Sequence, residues 1–136
     1  MPIPHLLAVL AAAAATMILG GLWYSPLLLG RQWIRAHGYS ADQVAQMRAN
    51  ANRAYLASFL CYVLMAIVFG VLLGTVGATG ALPGVHWGAL AWLGFALPLG
   101  LTAHFFSNKP LSAFLIDSGY QLAYLILMGV ILALWR

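Results

Sequence analysis

Residues 54–108 read AYLASFLCYVLMAIVFGVLLGTVGATGALPGVHWGALAWLGFALPLGLTAHFFSN and contain no Lys, Arg, Asp or Glu. A bilayer core of about 30 Å takes roughly 20 apolar residues per helix. This stretch is therefore long enough for two crossings and a turn between them. The turn falls at Gly77-Ala78-Thr79-Gly80-Ala81-Leu82-Pro83-Gly84, a cluster of helix breakers. Working outward, residues 1–30 and 118–135 are equally free of formal charge. The spans are placed at about 4–29, 53–78, 83–106 and 110–135. Within lipid a backbone must satisfy its own hydrogen bonds, so each span is expected to be an α-helix. The predicted fold is all-α: an integral membrane protein of four transmembrane helices, one domain over residues 1–136, with a short amphipathic helical connector between spans one and two.

Composition agrees. The 136 residues are 64% hydrophobic and 6% charged, against about 45–50% and 25% in soluble globular domains. Six Lys and Arg with two Asp cannot cover a water-facing surface. A secreted soluble domain, a disordered chain and a nucleic-acid binder are excluded, since a nucleic-acid footprint needs many clustered cations. The single cysteine, Cys61, excludes an internal disulfide framework. The first apolar run has no Lys or Arg before it and exceeds the roughly 7–15 residues of a signal-peptide core. It is expected to be a true span.

The cations set the direction. The first connector carries Arg31, Arg35, Arg48 and Arg53, and the third carries Lys109; on the other side stands Arg136 alone. Short loops rich in Lys and Arg stay cytoplasmic. Both termini are expected to face outward, with the Arg-rich connector inside. Within that connector Ser40-Ala41-Asp42-Gln43 has the spacing of a capping box, so a helix should start near Ala41. Segment 31–37 should lie at headgroup level, with Trp33 and Ile34 pointing down while Arg31 and Arg35 reach back to water.

Every span carries small residues at helical spacing: Ala8, Ala12, Thr16 and Gly20; Ala66, Gly70, Gly74 and Ala78; Gly84, Gly88, Ala96 and Gly100; Gly129 and Ala133. Such faces let membrane helices approach closely, either within one chain or between copies. Some are expected to serve contacts between subunits of a homo-oligomer. Pro26 and Pro98 should each kink or end their helix.

Asp117 is the one carboxyl group within a span, about 10 Å along a helix from Pro110 at 1.5 Å per residue. Intramembrane acids are expensive and mark functional sites. Tyr120, Gln121 and Tyr124 follow on the same side. The topology brings Trp23, Tyr24 and Ser25, then Arg53 and Tyr55, then His104 to the same depth. A polar cluster open to the cytoplasmic side is expected, with Asp117 paired to Arg53 or His104. The alternative is a purely structural tie between helices. No catalytic residue is identified and no metal or cofactor is expected, because neither zinc-ligand spacing nor a Walker or nucleophile-elbow pattern occurs.

The segments Leu19-Gly-Gly-Leu-Trp-Tyr-Ser-Pro-Leu27, Trp92-Leu-Gly-Phe95 followed by Pro98, and Phe114-Leu-Ile-Asp-Ser-Gly-Tyr-Gln121 give the chain a resemblance to the small bacterial membrane proteins grouped as domain of unknown function seventeen-sixty-one. The resemblance spans nearly the whole chain. It implies a four-span integral membrane protein and brings no activity with it; the expected location is the bacterial inner membrane. It directs attention to Trp23, Tyr24, Ser25, Pro26, Asp117, Gly119 and Tyr120.

Three functions compete. The first is an oligomeric transporter or channel subunit in which Asp117 binds a proton, ion or small molecule. The second is a non-catalytic scaffold that holds a lipid or partner, its basic connector on anionic headgroups. The third, ranked last, is a membrane enzyme using Asp117 and His104 as acid and base.

Overall fold

The computed structural model describes residues 1–135; Arg136, counted above as the lone cation of its side, lies outside them. Four helical spans are long and apolar enough to cross a membrane: Leu6–Trp23, Ala51–Thr75, Ala81–Phe105 and Leu111–Leu134. The first is α1 (Leu6–Trp23). Between it and the second lie α2 (Gly30–His37) and α3 (Ala41–Ala49). The second span is α4 (Ala51–Thr75). The third is composite, with α5 (Ala81–Ala91), a π-helical turn (Trp92–Ala96) and α6 (Leu97–Phe105). The fourth is α7 (Leu111–Leu134).

Span one is shorter than its apolar run because of Pro26. The helix stops at Trp23, and Leu29 and Gly30 bond back to the carbonyls of Trp23 and Ser25. A side chain at Gly30 would strike the Ser25 carbonyl oxygen 2.8 Å away, so only glycine permits this tight reversal. Pro98 acts differently. Leu97 bonds five residues back to Trp92, a π-turn that absorbs the missing proline donor without ending the span. In the connector, the Ser40 side chain accepts from Gln43 N–H while the Gln43 side chain accepts from Ser40 N–H, the capping box that the spacing predicts. The connector nevertheless holds two helices, and α3 breaks at Asn50 before α4 begins.

α7 is the centre of the molecule and packs against each of the other three spans. α1 and α4 pair with one another and with one side of α7. Span three lies on the other side, and its main contacts are with α7. The small residues are used inside the chain: Ala8, Ala12, Thr16, Ala66, Gly70, Gly84, Gly88, Gly129 and Ala133 are all buried. The closest approach is that of α5 to α7, where a Cβ on Gly84 would strike the Gly129 carbonyl and one on Gly129 would strike that of Gly84. Gly88 repeats this one turn on, against the Leu125 carbonyl at 2.5 Å.

The two ends of the bundle differ. At the end that carries the termini, the core is Ala8, Val9, Phe69, Leu73, Met128 and Leu132, all apolar. Gly80 N–H there bonds to the Ala133 carbonyl and ties the second turn to α7. Polar side chains gather at the other end, beside α2 and the start of α7.

Candidate functional site

The site is built on one turn of α7. Three tryptophan indoles converge there. Trp23, the last residue of α1, donates from Nε1 to the Ile116 carbonyl at 3.0 Å. Trp92, in the π-turn, donates to the Ser118 carbonyl at 2.9 Å. Trp33, on α2, donates to Asp117 Oδ1 at 3.0 Å. Tyr24 closes the set, its hydroxyl donating to the same Oδ1 at 2.5 Å, a length typical of charge-assisted hydrogen bonds. The two carbonyls flanking Asp117 and one of its own oxygens are thus held by α1, α2 and span three.

The local sequence accounts for the arrangement. The Pro26 turn and Gly30 send α2 back over the start of α7. Trp33 and His37, four residues apart, then share one face of α2, with ring centres 4.6 Å apart. Arg31, Gln32 and Arg35 fall on the exposed face. Gly38, with φ of 71°, ends the helix in a left-handed residue. This swings Tyr39 back so that its ring stacks on His37 at 5.1 Å. Lys109, from the turn before α7, donates to the His37 carbonyl at 3.1 Å and lies over the Tyr39 ring.

Asp117 has two unlike oxygens. Oδ1 carries both hydrogen bonds. Oδ2 faces His37 Nε2 at 3.7 Å, too far for a hydrogen bond. Both ring nitrogens of His37 are buried without a hydrogen-bond partner among the described residues. The Asp117 side chain keeps 41% of its surface accessible.

Deeper in, a ladder of tyrosines continues from the site. Tyr120 is buried edge-on to Tyr24, with ring centres 5.4 Å apart. Its hydroxyl donates to the Thr16 carbonyl at 2.9 Å and lies 3.1 Å from the Tyr62 hydroxyl, which can donate to it. Tyr124 packs on both Tyr120 and Tyr62, its hydroxyl toward Met65 Sδ. Two glycines make room for these rings. A Cβ on Gly20 would lie 2.7 Å from the Tyr120 hydroxyl, and one on Gly119 3.1 Å from the Trp23 indole. Gly20→Val is therefore expected to push the Tyr120 hydroxyl off the Thr16 carbonyl. It should cost about 2 kcal/mol, from overpacking plus a lost buried hydrogen bond. Reversible unfolding in mixed micelles measures it; a change below about 0.5 kcal/mol, the usual spread of surface substitutions, contradicts the placement.

Several expectations change. Asp117 pairs with neither Arg53 nor His104. Arg53 and Tyr55 lie on the first turns of α4, and both are exposed. His104 packs its ring on Phe114 and Phe105 instead. Shared depth was the reason for grouping them, and depth does not fix direction around α7. Trp33 does not point into lipid but turns to Asp117. Ser25 shapes the turn, its Oγ donating to the Leu22 carbonyl at 2.7 Å. Of the other expected residues, Trp23, Tyr24, Tyr120 and Tyr124 join the site, while Gln121 points into a groove between α4 and span three. His37, Trp33 and Trp92 were not expected. The i, i+4 pair Trp33 and His37 on an amphipathic segment was the available signal for two of them.

A family model described as protein of unknown function (DUF1761) matches residues 7–133. The chain belongs to this family. The match takes in every span and the whole site, from Trp23 and Tyr24 to Asp117 and Tyr120. No curated protein and no solved structure matches the chain.

Proposed function

We propose that this DUF1761 member is a small transport protein of the bacterial inner membrane that works as an oligomer and takes up a cation or proton at Asp117. The observation that carries the reading is the inequality of the two carboxyl oxygens. Oδ1 is held by Tyr24 and Trp33, while Oδ2 has no hydrogen bond among the described residues and faces His37 Nε2 at 3.7 Å, on a side chain that is 41% accessible. A carboxyl serving only as a tie would gain by hydrogen bonding through both oxygens. Arg31, Arg35, Arg48, Arg53 and Lys109 lie at the same end, and this distribution of positive charge supports reading it as the cytoplasmic end. The apolar core toward the termini offers no polar path through one chain, which favours passage along or between copies. The protein has no catalytic role in this reading, and the expected acid–base pairing with His104 is not formed.

A second reading is favoured by the three indoles. They grip a single turn of α7 from three directions, as suits a rigid scaffold that holds a lipid or partner. Native mass spectrometry from a mild membrane mimetic, followed by flux in proteoliposomes, separates the two. Transport requires an oligomer whose ion or small-molecule flux is lost in Asp117→Asn. Flux unchanged by that substitution, or absent from the wild type, leaves the scaffold.

A further inference from the structure

The groove that receives Gln121 runs between α4 and span three, with α7 as its floor. Gln121 lies ten residues into α7, about 15 Å along the helix and near the middle of the span. Its amide makes no hydrogen bond among the described residues. Hydrocarbon offers none either, and an unpaired amide at that depth is costly. The walls include the small residues Ala96 and Gly100, which permit close approach, and the rim carries Phe95 and Leu99, both strongly exposed. Span three is the least covered of the four, with 6% of its apolar window buried, against 22–39% for the others.

We propose that this groove is the interface with a second copy of the chain, and that Gln121 of each copy bonds to Gln121 of the other. The inference rests on the oligomeric reading above and names its surface. Copies inserted in the same direction meet symmetrically only about an axis along the membrane normal, and such an axis preserves depth. A residue on that axis therefore faces its own counterpart. An amide is both donor and acceptor, so a facing pair closes two reciprocal hydrogen bonds. The Phe95–Leu99 rim of each copy then packs against the other copy beside the amide pair. An acyl chain could cover the same groove but would leave the amide unpaired, which argues for the second copy.

The test uses full-length protein with Cys61→Ala, reconstituted in liposomes. Leu99→Cys on the groove rim is expected to give a covalent dimer with a short bifunctional thiol reagent. Ile18→Cys, on the exposed face of α1, is expected to remain monomeric. Adding Gln121→Met, which keeps length and removes the amide, should weaken association roughly tenfold, and Gln121→Asn should restore part of it. Cross-linking at position 18 but not 99, at neither position, or undiminished by Gln121→Met would overturn the interface. Asp117-dependent binding of sodium ion is the second readout, taken on the same Gln121→Met protein. A lost dimer with retained sodium binding supports this interface and leaves the Asp117 reading standing. An amide-dependent dimer that never binds sodium sinks only the latter.

Discussion

Asp117→Ala is expected to lower bundle stability by about 2 kcal/mol, whereas Asp117→Asn should cost about 1 kcal/mol or less. The alanine variant removes the acceptor for both Tyr24 and Trp33 and leaves two donors stranded, the expensive way to lose hydrogen bonds. The side chain is 41% exposed, so solvent can reach part of the gap and the loss falls in the lower half of the range for two stranded donors. The asparagine variant keeps a carbonyl oxygen where Oδ1 stands. Its structural role survives and its charge does not. Both variants should lose any cation held at Oδ2. The pair therefore separates anchoring from binding: stability falls in one, ligand in both. Equal stability losses in the two variants, measured by reversible unfolding in mixed micelles, would show that the tie depends on charge alone and that the donors to Oδ1 contribute little.

Gly84→Val and Gly129→Val are expected to be the most damaging changes away from the site, at about 3 kcal/mol each. At both positions the new Cβ meets backbone of the facing helix. No rotamer change relieves a backbone clash, so α5 must move off α7. Span three has its main contacts with α7 and no second partner of similar extent to hold it. Release should propagate along the span to the π-turn and free the Trp92 indole from the Ser118 carbonyl. Trp23, which reaches α7 from α1, should stay bound. Two further results follow from the same geometry. The double variant should cost less than the sum of the singles, because either one alone already separates the helices. Gly94→Val, where a Cβ meets nothing within 4 Å, should be nearly neutral in packing. Loss of stability at Gly94 comparable to that at Gly84 would contradict the assignment of the close approach.

The four spans were legible because a charge-free stretch of that length suits a bilayer core and little else, and the breaker cluster at Gly77–Gly84 marks the turn inside it. The capping box at Ser40 and Gln43 was legible because its two bonds are local. The depth of Asp117, and its company of Tyr24, Trp23, Tyr120 and Tyr124, followed from counting along the spans. The partners of Asp117 did not. Pairing it with Arg53 or His104 required knowing how α7 is turned and where the connector goes. That is decided by the reversal at Pro26 and Gly30, which folds α2 inward. The segment from Arg31 to His37 looked like a membrane-surface helix because its Arg residues and its Trp fall on opposite faces. The same pattern serves when the apolar face meets a protein helix in place of lipid. The small-residue faces were equally ambiguous, and packing within the chain takes most of them. Gln121 was grouped with Tyr120 by their i+4 and i+3 spacing from Asp117, yet the two differ by about 100° around the helix, enough to move Gln121 from the tyrosine ladder to the groove.

α2 is folded against α7 and anchored on Asp117 through Trp33. Hydrogen exchange of the five tryptophan indoles, resolved by nuclear magnetic resonance in micelles, reads this anchor out. In the wild type, Trp23, Trp33 and Trp92 should be protected, and Trp87 and Trp135, for which no indole bond is formed among the described residues, should exchange faster. In Asp117→Ala only Trp33 should lose protection, since Trp23 and Trp92 bond to backbone carbonyls that the substitution leaves in place. A Trp33 indole that exchanges as fast as Trp87 in the wild type, or that stays protected in Asp117→Ala, would show that Asp117 does not anchor α2.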